Sequence, residues 1–182
     1  ALLRGAARHR DLYNHRLALR GEGVEALQAQ LESWLAGEAP EGVTQGSARG
    51  SAAGHVAFVF SGNGAQFAGM ARAAMDRNAA FRNAVREADG LLRPLTGWSG
   101  AALLKQGVTA EELAGTDRAQ PLLFLVQLGI LAALAAEGIR PDLCLGHSVG
   151  EVAAAHAAGI LTLPQAVRLV VARSRAQHSR RG

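Results

Sequence analysis

The stretch CLGHSVGEVAAAHAAG, from Cys144 to Gly159, sets a serine between two glycines where a short apolar run meets a series of alanines. Gly146, Ser148 and Gly150 fit the pattern G-x-S-x-G of a nucleophile elbow, a sharp strand-to-helix turn that exposes a serine hydroxyl. A strand is predicted for residues 141–147 and a helix for 149–159. This order favours Ser148 as a nucleophile over a glycine-serine turn with no chemistry.

A second strand-and-turn unit lies earlier in the chain. Val56–Phe60 is an apolar run typical of a buried parallel strand, and it ends in the turn Ser61-Gly62-Asn63-Gly64. Further helices are predicted at about 68–90, 99–114 and 118–139 and from Pro164 onward. We therefore predict an α/β fold in which Val56–Phe60 and Leu143–Gly146 are neighbouring parallel strands. The backbone N–H groups of the glycine turn would then lie beside Ser148.

The first 54 residues are predicted to form a separate small α/β unit. RLALR (16–20) alternates like a strand, and apolar residues recur at helical spacing in 23–37. The segment 37–54 is rich in Gly, Ser and Ala without periodicity, so we expect a linker or surface crossing there. The domain boundary is placed between residues 54 and 55.

Composition excludes several classes of function. The net charge is +4, but Lys105 is the only lysine and no aromatic platform accompanies the scattered arginines, which disfavours nucleic-acid binding. Gln127 and Gly129 interrupt the longest apolar run, so no membrane span is expected. With Cys144 as the single cysteine, no intrachain disulfide can form, which fits a cytoplasmic location. No metal site is predicted. The chain does not begin with Met, so we expect a piece of a longer protein.

Three histidines near the end of the chain are weak candidates for a general base. His147 adjoins the serine, but neighbouring side chains at a strand end point apart, so a packing or supporting role is expected. His156 lies about two helical turns farther on, on an apolar stripe, and is expected to be a satisfied core residue. His178 falls in the last, frayed stretch. The base is therefore expected outside this chain.

Arg173 falls on the apolar side of the last predicted helix, between Leu169 and Val170, whereas Arg168 and Arg175 fall outside that stripe. An inward guanidinium needs an anionic partner, because a buried unpaired charge is costly. The partner is either an internal acid such as Glu151 or a carboxylate on a substrate, and a planar two-pronged donor suits the latter.

Four stretches together resemble the acyltransferase domain of modular polyketide synthases and fatty acid synthases, the malonyl-CoA:acyl carrier protein transacylase family. They are FVFSGNGAQFAGM (58–70), AQPLLFLVQLGI (119–130), GHSVGEVAAAHAAGILTL (146–163) and VVARSRAQ (170–177). Residues 1–54 are similar to the linker that joins a ketosynthase to its acyltransferase. The resemblance implies an α/β-hydrolase-like parallel-sheet core, of which 55–182 would be the N-terminal part.

The resemblance also implies roles for individual residues. Ser148 would be the acylated nucleophile, and Arg173 would pair with the carboxylate of the extender unit. The N–H groups of Val149 and Asn63 would form the oxyanion hole, with His147 among the substrate-binding residues. Asn63 departs from the family, which usually has Gln there. The family's catalytic histidine lies well beyond the last residue of this chain, so the fragment is not expected to turn over alone.

The implied reaction moves a malonyl-type acyl group from CoA to the phosphopantetheine thiol of an acyl carrier protein, through an acyl-serine. No covalently bound cofactor is expected. The implied partners are the acyl-CoA, the carrier protein and a ketosynthase domain of the same chain. Two alternatives stay open: a serine hydrolase or thioesterase of α/β-hydrolase type, and a non-catalytic structural or docking fragment. The choice between malonyl and methylmalonyl stays open as well.

Overall fold

Alternating and helical patterns near the start of the chain form a strand and a helix as predicted: β1 (His15–Leu19) and α1 (Val24–Leu35). The structure, a computed structural model, describes residues 13–47 and 54–180. By its internal contacts the chain divides into two compact units, Ala1–Gly54 and His55–Gly182.

The first unit contains a strand that the sequence did not predict. Strand β2 (Val43–Ser47) lies inside the segment expected to be a linker and pairs antiparallel with β1, with Leu19 opposite Val43 and His15 opposite Ser47. The expectation of a linker was wrong here because pairing with β1, 24 or more residues away, stabilises a segment that has no local pattern of its own. The rest of the predicted linker, residues 48–53, lies outside the described residues.

The second unit alternates strands and helices. Its elements are β3 (Ala57–Phe60), α2 (Arg72–Arg77), α3 (Ala79–Thr96), α4 (Gly100–Gln106), α5 (Thr116–Ala136), β4 (Leu143–Gly146), α6 (Gly150–Ala157) and α7 (Leu163–His178). Two predicted helices are shorter than expected. The 68–90 segment breaks at Asn78, whose side chain accepts a hydrogen bond from Phe81 N at 2.9 Å and so begins α3. The 99–114 segment stops at Gly107, which has a φ of +98°.

Strands β3 and β4 are parallel neighbours, with Ala57 opposite Leu143 and Phe60 opposite Gly146. This pairing agrees with the sequence prediction and brings the ends of both strands to the same edge. Only one face of the pair is covered: Phe60 is 7% exposed, whereas Val59 is 74% exposed. The expectation of a strand buried on both faces was therefore wrong for the described residues, since alternate side chains point to opposite faces and the helices cover one of them.

Helix α5 lies at the centre of the core and packs against α3 and α7. By length and composition it could cross a membrane, but 56% of its most apolar 18-residue window is buried inside the protein. Gly129, which interrupts its apolar run, lies against the ring of Phe81. A Cβ at position 129 would come within 2.5 Å of that ring, so the small residue permits the close crossing of α3 and α5.

Candidate functional site

Ser148 lies two residues after the end of β4 and has a φ of +57°, in the left-handed region. Among the described residues other than glycine, only Ala71 shares a positive φ. This conformation costs an L-residue about 1–2 kcal/mol, so the surrounding structure must impose it. Strain of this kind at a strand-to-helix turn is what holds a serine hydroxyl outward in a nucleophile elbow.

The two glycines of the G-x-S-x-G pattern are required by backbone approach on both sides of the serine. A Cβ at Gly146 would lie 2.4 Å from the Cα of Glu151, and a Cβ at Gly150 would lie 2.2 Å from the carbonyl oxygen of Phe60. Both obstructing atoms belong to backbone, which cannot move aside as a flexible side chain could. The glycines therefore allow β3, β4 and α6 to meet at the elbow.

The glycine turn that ends β3 lies against the elbow. A Cβ at Gly62 would approach the Nδ1 of His147 to 2.5 Å and the Cβ of Ser148 to 3.2 Å. The backbone N–H of His147 donates to the Phe60 carbonyl at 3.0 Å, which fixes the two strand ends together. The predicted adjacency of the turn and the serine is thus present in the structure.

The backbone N–H groups of Asn63 and Val149 lie on the two sides of this junction. Within the described part of the chain, neither group donates a hydrogen bond to a protein acceptor. The Val149 side chain is fully buried at the start of α6, whereas the Asn63 side chain is exposed. N–H donors without a protein acceptor, one directly after the serine and one in the turn that lies against it, are the kind of group that can stabilise an oxyanion.

Arg173 lies on α7, half buried, and reaches Ser148. Its Nη2 donates to the Ser148 Oγ at 2.9 Å, and its Nη1 donates to Gln120 Oε1 at 2.5 Å and to Gln177 Oε1 at 3.1 Å. The ion pairs in the described ranges are His55–Asp142 and His178–Asp117, and neither involves this guanidinium. The alternative of an internal salt bridge to Glu151 is therefore not observed there.

The inward face of α7 differs slightly from the predicted stripe. Its buried residues are Ala166, Val167, Val170, Val171 and Ser174. Leu169 is 45% exposed, so Arg173 occupies the margin of the buried face rather than its middle. Arg168 and Arg175 are exposed, as expected, although the Arg175 guanidinium also donates to the Leu95 carbonyl.

No described histidine hydrogen-bonds the Ser148 hydroxyl. The His147 ring is exposed and lies against Gly62. His156 is half buried, with its Nδ1 2.9 Å from the Leu161 carbonyl oxygen, which agrees with a satisfied histidine. His178 lies 3.2 Å from an Asp117 carboxylate oxygen. Over the described ranges, no group of three or more potential metal ligands is present.

Gln120 and Gln177, which contact the guanidinium of Arg173, were not predicted from the sequence. Gln120 is only 1% exposed, and its Nε2 donates to Gln177 Oε1 at 2.7 Å. A signal was available, because Gln120 is a polar residue at the start of the longest apolar run, in a predicted helix, and a polar residue among apolar ones is informative where it is buried. Which residue it would contact was not readable from the sequence.

A serine with a positive φ just after a parallel strand, with a glycine turn packed against it, is the arrangement of a nucleophile elbow. Residues 57–182 match the acyl transferase domain family, and the chain belongs to that family. It is 38% identical to polyketide synthase GfsE of Streptomyces halstedii over 93% of this chain.

Solved structures agree with the assignment. The acyltransferase domain from module 8 of the salinomycin polyketide synthase matches 96% of this chain with 31% identity and a TM-score of 0.80. The malonyl-CoA:ACP transacylase of Synechocystis sp. PCC 6803 matches 69% with 30% identity and a TM-score of 0.60. The chain spans 41% of each of these two structures and 5% of GfsE. These matches do not favour the serine hydrolase or the docking fragment.

Proposed function

We propose that this chain supplies the nucleophile, the oxyanion donors and the carboxylate receptor for transfer of a malonyl-type acyl group from CoA to an acyl carrier protein. The observation that carries the proposal is the contact between Arg173 and Ser148. A guanidinium that has no acidic partner in the described ranges lies 2.9 Å from the nucleophile oxygen. A substrate with a carboxylate near its reacting carbonyl would supply the missing counter-charge.

In the first half-reaction, Ser148 Oγ attacks the carbonyl carbon of the thioester. The developing oxyanion is stabilised by the N–H groups of Val149 and Asn63. The C–S bond then breaks, CoA leaves as its thiol, and the acyl group stays on the serine oxygen. The Nη2 of Arg173 moves its hydrogen bond from the free hydroxyl to the carboxylate of the bound acyl group.

In the second half-reaction, the phosphopantetheine thiol of the carrier protein attacks the acyl-serine, and the serine hydroxyl is restored. Each half requires a base that takes a proton and returns it. In residues 13–47 and 54–180 the Ser148 hydroxyl accepts a hydrogen bond from Arg173 and makes none with a histidine. We propose that the base is a histidine from the part of an acyltransferase domain that this sequence does not span.

The first unit has a separate proposed role. Strands β1 and β2 and helix α1 precede the region that matches the acyl transferase domain family. We propose that they form the linker between a ketosynthase and this acyltransferase, with the ketosynthase domain as partner. The GfsE match, which extends over 93% of the chain and therefore includes part of this unit, supports that role.

The test is the substrate preference of Arg173→Ala in the full-length gene product that contains this sequence. Transfer of malonyl-CoA should fall by about 30- to 1000-fold in kcat/KM, because a lost charge-assisted pair costs about 2–4 kcal/mol. Acetyl-CoA has no carboxylate and should lose little. Arg173→Lys should recover part of the malonyl activity, since an ammonium is a point charge without the two-pronged geometry.

Arg168→Ala is the matched control, because Arg168 is an exposed arginine on the same helix and its side chain makes no hydrogen bond within the described residues. It should leave both substrates unchanged. An equal loss for malonyl and acetyl in Arg173→Ala, with a lowered melting temperature, would make Arg173 a structural residue and refute carboxylate recognition. Release of free malonate instead of acylated carrier protein would restore the hydrolase alternative.

A further inference from the structure

The guanidinium of Arg173 donates a hydrogen bond to a buried side-chain amide on another helix. Gln120 lies on α5, 53 residues earlier in the sequence, and is 1% exposed. Its Oε1 accepts from Arg173 Nη1, and its Nε2 donates to Gln177 Oε1, which itself accepts from the same Nη1. The side chains of Arg173, Gln120 and Gln177 thus form a closed triangle of hydrogen bonds, with Nη1 of the guanidinium at one corner.

These hydrogen bonds engage Nη1 and leave Nη2 and Nε as the pair of donors that can face a carboxylate, since Nε makes no hydrogen bond within the described residues. Both N–H bonds of Nη1 have acceptors, one on each glutamine, while Nη2 donates to Ser148. An arginine side chain has about 2 kcal/mol of rotamer entropy, which an unrestrained guanidinium would lose on binding a carboxylate. With Nη1 held by two acceptors, the plane of the guanidinium is set before the substrate arrives.

The chemistry of the partner matters as much as its position. A glutamine accepts a hydrogen bond without neutralising the guanidinium, so the full positive charge stays available to a substrate carboxylate. A glutamate at the same place would form an ion pair with Arg173 and compete directly with the substrate. Both polar atoms of the buried Gln120 amide have a hydrogen-bond partner, as is usual for a buried polar group.

We propose that Gln120 is a positioning residue that fixes the guanidinium of Arg173 toward Ser148 and sets the preference for acyl groups that carry a carboxylate. The inference rests on the proposed function, in which Arg173 receives that carboxylate. Gln177 is an exposed second support for the same nitrogen.

The test compares Gln120→Leu and Gln120→Glu in the full-length gene product with malonyl-CoA and acetyl-CoA as substrates. Gln120→Leu should lower kcat/KM for malonyl-CoA by about 10-fold, mainly through KM, because a misplaced receptor weakens binding of the carboxylate. Gln120→Glu should lower kcat/KM for malonyl-CoA by about 100-fold relative to the unsubstituted protein, because the new carboxylate pairs with Arg173 in place of the substrate. Acetyl transfer should change less than about 3-fold in either variant.

Ser174→Ala is the matched control for loss of a buried polar group near the site. Ser174 is fully buried beside Arg173 on α7, and its hydroxyl donates only to the Val171 carbonyl within the described residues. It should not alter the ratio of malonyl to acetyl activity. If Gln120→Leu does not fold, Gln177→Ala takes its place, since an exposed side chain can be removed without opening the core; it should lower malonyl transfer selectively by about 3-fold.

A double mutant separates this inference from the proposed function. In an Arg173→Ala background, Gln120→Leu should cause no further loss of malonyl transfer, because it acts through the arginine. A selective Arg173→Ala together with an unselective Gln120→Leu, or an additive double mutant, would overturn the positioning role and leave the proposed function intact. An unselective Arg173→Ala would overturn the proposed function itself.

Discussion

Replacing Ser148 by glycine should give a more stable protein than replacing it by alanine. Both variants lose the hydroxyl and its hydrogen bond from Arg173, so these losses cancel in the comparison. What differs is the backbone at φ +57°, which costs alanine about 1–2 kcal/mol and glycine almost nothing. Glycine in turn loses about 0.5–1 kcal/mol more conformational entropy on folding. The net advantage of glycine is about 0.8 kcal/mol by these two principles.

The measurement is thermal unfolding of the 182-residue chain, followed by circular dichroism. For a protein of this size a difference of 1 kcal/mol moves the melting temperature by about 2–4 °C, so the glycine variant should melt about 2–3 °C above the alanine variant. Ser174 provides the control with the opposite sign, because it lies within α7. There alanine should exceed glycine by about 1–2 kcal/mol, from helix propensity and a buried methyl group.

The sign of the stability difference between Ser148→Gly and Ser148→Ala tests whether the serine backbone is strained. If Ser148→Ala is as stable as Ser148→Gly or more so, the serine is not held in the left-handed conformation in solution. The strained elbow would then not explain how the hydroxyl is exposed. A reversed sign at position 174 would instead show that the assay does not report backbone conformation.

Two further substitutions test the close packing at the elbow and a helix cap in the core, both by urea denaturation. Gly150→Ala places a Cβ 2.2 Å from the Phe60 carbonyl oxygen and should lower the free energy of unfolding by about 2 kcal/mol or more. The control Gly90→Ala, in α3 with open space around it, should raise the free energy of unfolding by about 0.5–1 kcal/mol. Equal effects of the two substitutions would contradict the close approach at Gly150. Asp89→Ala removes a carboxylate that accepts hydrogen bonds from Ser99 Oγ at 2.7 Å and from the backbone N–H groups of Gly100 and Ala101 at 2.7 and 3.2 Å, at the start of α4. It should lower the free energy of unfolding by about 2–4 kcal/mol, and Asp89→Asn should lower it by less. An unchanged free energy of unfolding would show that this cap does not stabilise the fold.

The elbow was readable from the sequence because its requirements are local. A serine whose backbone must turn sharply between a strand and a helix needs small residues within two positions on either side, and Gly146 and Gly150 satisfy that steric demand. The parallel pairing of β3 with β4 followed from apolar runs that end in turns. The role of each site residue in catalysis stays a prediction, for which the structure supplies the geometry.

Other features depended on contacts between distant parts of the chain. Strand β2 exists because β1 pairs with it, and its own residues have no pattern that would have indicated a strand. Val59 is exposed although its run is apolar, because only one face of the two strands is covered by helices. Periodicity shows which residues can be buried together, but it does not show which surfaces find a partner.

The surroundings of Arg173 show the same limit at the site. Helical periodicity placed it near the buried face of α7 and left two partners possible, an internal acid or a substrate carboxylate. The fold brings α5 and α7 together, so that Gln120 and Gln177 accept from Nη1 while Nη2 meets Ser148. A sequence specifies the steric demands of a turn because they act between adjacent residues. It leaves the partner of a long, flexible side chain to the tertiary structure, since that partner can lie on any element that the fold brings within reach.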